Sequence, residues 1–111
     1  MMYVDFEAGN KAYKLRLNTR NIVSLEKVLG CNPLAVFGEG NKIPTVSAMI
    51  AILHAAAQQY EHKITANDAA DIFDAWLADG HATTDFIPLI LELYKASGLI
   101  PKDAEEEVKN G

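Results

Sequence analysis

The chain has 111 residues, half of them hydrophobic and 23% charged, with a formal net charge of -5. This supplies one packed core and is too short for two ordinary domains, which run to roughly 100–150 residues each; wholesale disorder is excluded by the apolar content. The charge is uneven, +2 over residues 1–30 and -7 over the remainder, a balance that argues against a phosphate backbone, and so against nucleic acid, as the main partner.

The first elements read as strands. Residues 2–7 and 12–17 alternate apolar and polar side chains, the period-2 signature of a half-buried hairpin, with Ala8-Gly9-Asn10-Lys11 as the loop. Val4 and Phe6 then share the core face with Tyr13, Leu15 and Leu17, while Asp5 and Glu7 meet Lys14 and Arg16 on the outer face. A first helix over about 19–29 follows an Asn18 or Thr19 cap, carries Ile22, Leu25, Val28 and Leu29 inward, and ends at Gly30. Asn32-Pro33 starts a short turn through Phe37, and Gly38 to Pro44, polar and glycine-rich, reads as a mobile loop.

A second helix over about 45–60 places Val46, Met49, Ile50, Leu53, Ala57 and Tyr60 on one stripe. The third, about 66–79, opens on Thr65 with Asp68 in its first turn and buries Ala69, Ile72, Phe73 and Trp76. The fourth, about 84–97, starts at Thr83 or Thr84 and is closed by Gly98 and Pro101. The predicted fold class is α+β, mainly α: an N-terminal β-hairpin (2–17) and about four helices in a single domain over residues 1–100, with 101–111 as a flexible charged tail.

No catalytic, cofactor-binding or metal-ligating constellation emerges. His54, His62 and His81 lie in unrelated settings with no H-x-x-x-H spacing, and Asp68, Asp71 and Asp74 form a slanting row on one helix, whereas hard cations take ligands converging from several directions. Ser24 and Ser47 lack a G-x-S-x-G elbow, and Cys31 follows a helix end rather than opening a helix, where a thiolate is favoured. A non-enzymatic protein without cofactor is the expectation. One cysteine cannot form an intramolecular disulfide, no basic-led apolar segment opens the chain, and the longest apolar runs fall short of the roughly 20 residues that span a bilayer. Reducing cytoplasm and no membrane span are expected.

The fourth helix is unusually apolar. Phe86, Ile87, Leu89, Ile90, Leu91, Leu93 and Tyr94 occupy roughly 200° of the wheel, where a stripe of just over 100° suffices for a surface helix. Either it is a central helix wrapped by the rest of the fold, or it presents a groove or oligomer surface; periodicity serves both. On the second reading Phe86, Ile87, Ile90, Leu91 and Tyr94, with Trp76, are the candidate protein contacts.

The order of short motifs has a family likeness. Tyr13-Lys14-Leu15-Arg16-Leu17, Ile22, Leu25-Glu26, Leu29-Gly30 and Pro33-Leu34, then Pro44-Thr45-Val46, Ile64-Thr65, Asp68-Ala69 and Leu93-Tyr94-Lys95 to Ile100, resemble the small tail assembly chaperones of long-tailed phages and gene transfer agents. The resemblance covers most of the chain. It implies a non-enzymatic chaperone in the host cytoplasm that keeps the helical tape measure protein soluble and is absent from the mature virion. It also implies a longer, frameshifted form that recruits tail tube protein, and it leaves room for self-association. A phage head-tail connector or adaptor is the main alternative, and a helical DNA-binding regulator a weaker one, because Asp68, Asp71, Asp74, Asp79 and Asp85 repel phosphate.

Overall fold

Two glycine-permissive positions set the start of the fold. In the computed structural model, which describes residues 3–37 and 43–101, Gly9 and Asn10 take φ of 58° and 67°. Two successive left-handed residues make a type I′ turn, whose twist matches that of the strands it joins. The loop is therefore two residues, shorter than expected, and β1 (Val4–Ala8) pairs antiparallel with β2 (Lys11–Leu15). Phe6 faces Tyr13 and Val4 faces Leu15 on the core side; Asp5 faces Lys14 on the outer side as expected, but Glu7 faces Ala12 rather than Arg16. β2 also stops two residues early. The Arg16 N–H leaves the ladder and donates to the Ala56 carbonyl at 2.9 Å, satisfying one of the acceptors that a helix leaves free in its last turn.

The first three helices begin where the capping chemistry puts them. α1 (Thr19–Leu29) is capped by the Asn18 side chain, which accepts from Asn21 N at 2.8 Å, and it closes on Gly30 at φ 73°. A 3₁₀ turn over Pro33–Phe37 follows. α2 (Val46–Ala57) is capped by Thr45, and α3 (Ala66–Ala78) by a reciprocal box in which Thr65 Oγ1 accepts from Asp68 N at 3.1 Å and Asp68 Oδ2 accepts from Thr65 N at 3.0 Å. The cap expected at Thr83 or Thr84 is corrected: both lie within a single 3₁₀ turn (Thr83–Asp85), held by Ala82 N donating to Asp85 Oδ2 at 2.8 Å, which leads into α4 (Phe86–Ser97), closed by Gly98 in the left-handed region. The expected end of α2 at 60 is corrected to Ala57: the chain turns there, with Tyr60 N and Glu61 N both donating to the Ala57 carbonyl, and Tyr60 leaves the apolar stripe. The loop expected over Gly38 to Pro44 lies largely outside the described residues, as does the tail expected over 101–111.

The packing places α2 at the centre. Met49, Ile52, Leu53, Ala55, Ala56 and Ala57 are all buried, and α1, α3, α4 and β2 all pack on this helix. Three consecutive alanines explain how it accommodates neighbours on several sides, because each presents a single methyl to the approaching element. β1 packs on α3 and α4. There Phe6, Phe73, Trp76 and Phe86 form a ring cluster with centroids 5.3–6.2 Å apart in tilted and edge-to-face pairs. The fold is the hairpin-plus-four-helices α+β domain that the sequence predicts, one small domain with a radius of gyration of 13.4 Å.

Candidate protein-binding surface

The apolar face of α4 is mostly consumed by the fold. Phe86, Ile90, Leu93 and Tyr94 are 0% exposed, Trp76 is 6% exposed, and Ile87 and Leu91 are half-buried. Of the six candidate contacts, Phe86, Ile90, Tyr94 and Trp76 therefore belong to the core, and only Ile87 and Leu91 retain partial access. The reason is the hairpin. β1 lies over α3 and α4 and covers the part of the wheel that a helical neighbour alone would leave open. Tyr94 is tied down further, its hydroxyl donating to the Pro33 carbonyl at 2.8 Å in a buried bond that fastens α4 to the 3₁₀ turn. Burial pushes this phenol well above its ordinary pKa, with a smaller contribution from charge on nearby Cys31.

The residues with chemical potential remain dispersed. His54 Nε2 lies 3.1 Å from the Ile64 carbonyl, His81 stacks on Trp76, and His62 is exposed. Asp68 is occupied by the α3 cap, and Asp71 and Asp74 are solvated. Among the described residues no group of three or more His, Cys, Asp and Glu is placed to hold a metal ion, and no helix is long and apolar enough to cross a membrane.

Uncovered apolar surface lies instead at the other end of the molecule, where α1 ends, the 3₁₀ turn follows and α2 begins. Val28, expected inside, is 71% exposed; Leu25 alone is fully buried on α1, with Ile22 and Leu29 half-buried beside it. Val28 lines a groove of about 320 Å³ with Leu29, Val36, Ala48 and Ala51, completed by Cys31, Thr45 and Ser47. On the segments that border it Leu34, Ile43 and Val46 are 41–51% exposed. Single exposed aliphatics are ordinary, but a concave apolar surface with further aliphatics on the segments around it marks a place where another apolar body fits.

Sequence reasoning missed this groove because Val28 completes an i, i+3 pattern with Leu25 and so reads as core. The signal available was quantitative. α1 is an 11-residue helix that packs on α2 and the short 3₁₀ turn, and a stripe of four large aliphatics is more than those two contacts cover. No curated protein and no solved structure matches the chain. A family model does, over residues 4–111, and its description is that of a family of unknown function.

Proposed function

The chain belongs to DUF6096, a family of unknown function, and we propose that it is a non-enzymatic protein-binding domain, a phage tail assembly chaperone whose client is the tape measure protein. The observation that carries the reading is the apolar groove at the α1–α2 end, with Val28 at 71% exposure. A helix-in-groove contact recognises apolar side chains at i, i+3, i+4 and i+7 of an amphipathic partner, and a long helical client offers such stripes repeatedly. The net charge of -5 limits self-aggregation of a domain that keeps aliphatic side chains in water. The motif order described above supports the choice of client. Host cytoplasm as the place of action, absence from the mature virion and recruitment of tail tube protein by a longer form belong to the same proposal.

Co-expression with the longest helical protein encoded just downstream, followed by affinity capture and sizing, tests it. The informative variant is Val28→Lys with Val46→Glu, since a cation suits the last turn of α1 and an anion the first turn of α2, so both charges enter the groove region without opposing their helix dipoles. Capture by the parent chain and loss of capture by this variant, with unchanged circular dichroism, is the expected result. A discrete ring of the parent chain alone, without capture, would replace the chaperone by a connector.

A further inference from the structure

The hairpin leaves a strand edge open beside a groove. In a two-residue hairpin the pair flanking the turn, here Ala8 and Lys11, exchanges both backbone hydrogen bonds, and the alternation then assigns Phe6–Tyr13 and Val4–Leu15 as bonded pairs. The N–H and C=O of Asp5 and of Glu7 consequently point away from β2. None of these four groups has a partner among the described residues. The corresponding edge of β2 differs, because just beyond its end the Arg16 N–H is bonded to α2.

A groove of about 690 Å³ runs along the β1 edge. Three consecutive residues of β1, Asp5, Phe6 and Glu7, line it. Successive side chains of a strand point to opposite faces, so a cavity touching three in a row lies against the edge itself. By contrast, the cavity next to β2 touches only Lys11 and Tyr13, which share one face. The far wall is built from the end of α3 and the start of α4. Trp76 and Leu89 supply its apolar part, with His81 stacked on the indole at 4.4 Å between centroids and 5° between planes. Asp79 and Asp85 supply the rest, and Asp79 Oδ2 also accepts from Gly9 N at 2.8 Å, which fixes the turn end of the groove.

We infer that this groove takes an extended segment of a partner protein as an added β-strand, and that the segment alternates basic and apolar side chains. The occupant follows from the two faces of such a strand. Side chains on the outer face sit next to Asp5 and Glu7, and those on the inner face meet half-buried Leu89 and the exposed rims of Phe6 and Trp76, whose bodies lie in the core at 5% and 6% exposure. Four carboxylates line the groove, Asp5 and Glu7 along the strand and Asp79 and Asp85 accepting from Gly9 N and Ala82 N, and among the described residues His81 is the only other ionisable side chain there, so lysine or arginine is favoured and aspartate or glutamate is repelled. A second copy of this domain fits poorly. Pairing β1 with the β1 of a second copy would set that copy's Asp5 and Glu7 beside the carboxylates that already line this edge, an arrangement that like charge disfavours. This site is separate in composition from the apolar groove and stands without the chaperone reading.

The probe is the capped hexapeptide Lys-Val-Lys-Val-Lys-Val, titrated into the full chain and followed by the fluorescence of Trp76, the single tryptophan. Saturable binding that weakens with salt is expected, with the Glu-Val-Glu-Val-Glu-Val peptide at least on the order of tenfold weaker. Of two lysine peptides, N-methylated at the lysines or at the valines, the one whose methylated nitrogens face β1 cannot complete the ladder and should lose binding, while the other retains it. The variant Asp5→Lys with Glu7→Lys, both exposed, should likewise weaken the lysine peptide by about tenfold or more while retaining its helical circular dichroism. Binding unaffected by N-methylation would overturn strand addition in favour of loose charge attraction. No binding at millimolar peptide would overturn the site altogether and leave Asp5 and Glu7 as charges that guard an edge.

Discussion

The two ends of the domain treat aliphatic and aromatic side chains in opposite ways. At the hairpin end, β1 closes over α3 and α4, and Phe6, Phe73, Trp76 and Phe86 are all within 6% of full burial. At the α1–α2 end no sheet covers the helices among the described residues, and Val28, Val46 and Leu34 remain 41–71% exposed although they are as aliphatic as the core leucines and isoleucines. Apolar character therefore distinguishes the two ends less than the presence of a second layer does. A two-stranded hairpin is the covering device, and it reaches only one side of α2.

Breaking the covered end should have the largest effect. Ile90→Asp puts a carboxylate at a position that is 0% exposed, and Phe86→Ala removes a ring from the centre of the aromatic cluster. An unpaired buried charge is among the most costly changes a core can receive, and deleting a buried phenylalanine costs about 3–5 kcal/mol. Ile90→Asp is expected to abolish the folded state at 25 °C, and Phe86→Ala to leave a chain whose thermal midpoint falls steeply, both measured by circular dichroism. A native-like melt of Ile90→Asp would mean that α4 is not held in the core.

The next effect concerns the joint between the two ends. Tyr94→Phe keeps the ring packing against Phe37 but strands the Pro33 carbonyl, a loss of about 1–3 kcal/mol in urea denaturation. The same hydroxyl gives the domain a pH signature. Its folded-state pKa is raised by burial, so the neutral form is favoured in the fold. The stabilisation is complete below the unfolded tyrosine value of about 10 and is lost as pH rises above it. Stability of the parent chain should fall more steeply above about pH 10 than that of Tyr94→Phe. Parallel curves would separate the hydroxyl from that alkaline loss.

A smaller effect belongs to the α3 cap. Thr65→Ala removes the acceptor for Asp68 N, worth about 1 kcal/mol, and destabilises the helix that carries Phe73 and Trp76. It tests whether the covered end owes its order to local signals as well as to burial. A change in midpoint too small to resolve would assign that order to packing alone.

What was legible in the residues follows the same division. Strand alternation, the Asn18, Thr45 and Thr65 caps and the Gly30 and Gly98 stops are local features, and the elements start or stop at or next to them. The two-residue turn and the early end of β2 were not legible, since one depends on how Asn10 joins Gly9 at positive φ and the other on a carbonyl supplied by Ala56, forty residues later in the chain. The surface was read least well. Periodicity reports which side chains share a face of a helix, but not whether another element covers that face. It therefore marked Val28 as buried, where it is 71% exposed, and left Phe86, Ile90 and Tyr94 open between core and contact, where packing puts all three in the core.

The smallest expected effect on stability is the one that separates the two ends most clearly. Val28 is 71% exposed in the last turn of α1, so a lysine there neither opens a cavity nor buries a charge, and its ammonium suits the negative end of the helix. Surface substitutions of this kind stay within about 0.5 kcal/mol. Val28→Lys alone should therefore melt with the parent chain while reducing capture of a helical client, because a client side chain must displace water from a charged group to enter the groove. A clear drop in its melting temperature would mean that Val28 is covered in solution, and that the uncovered end of the domain is closed by a further copy or segment.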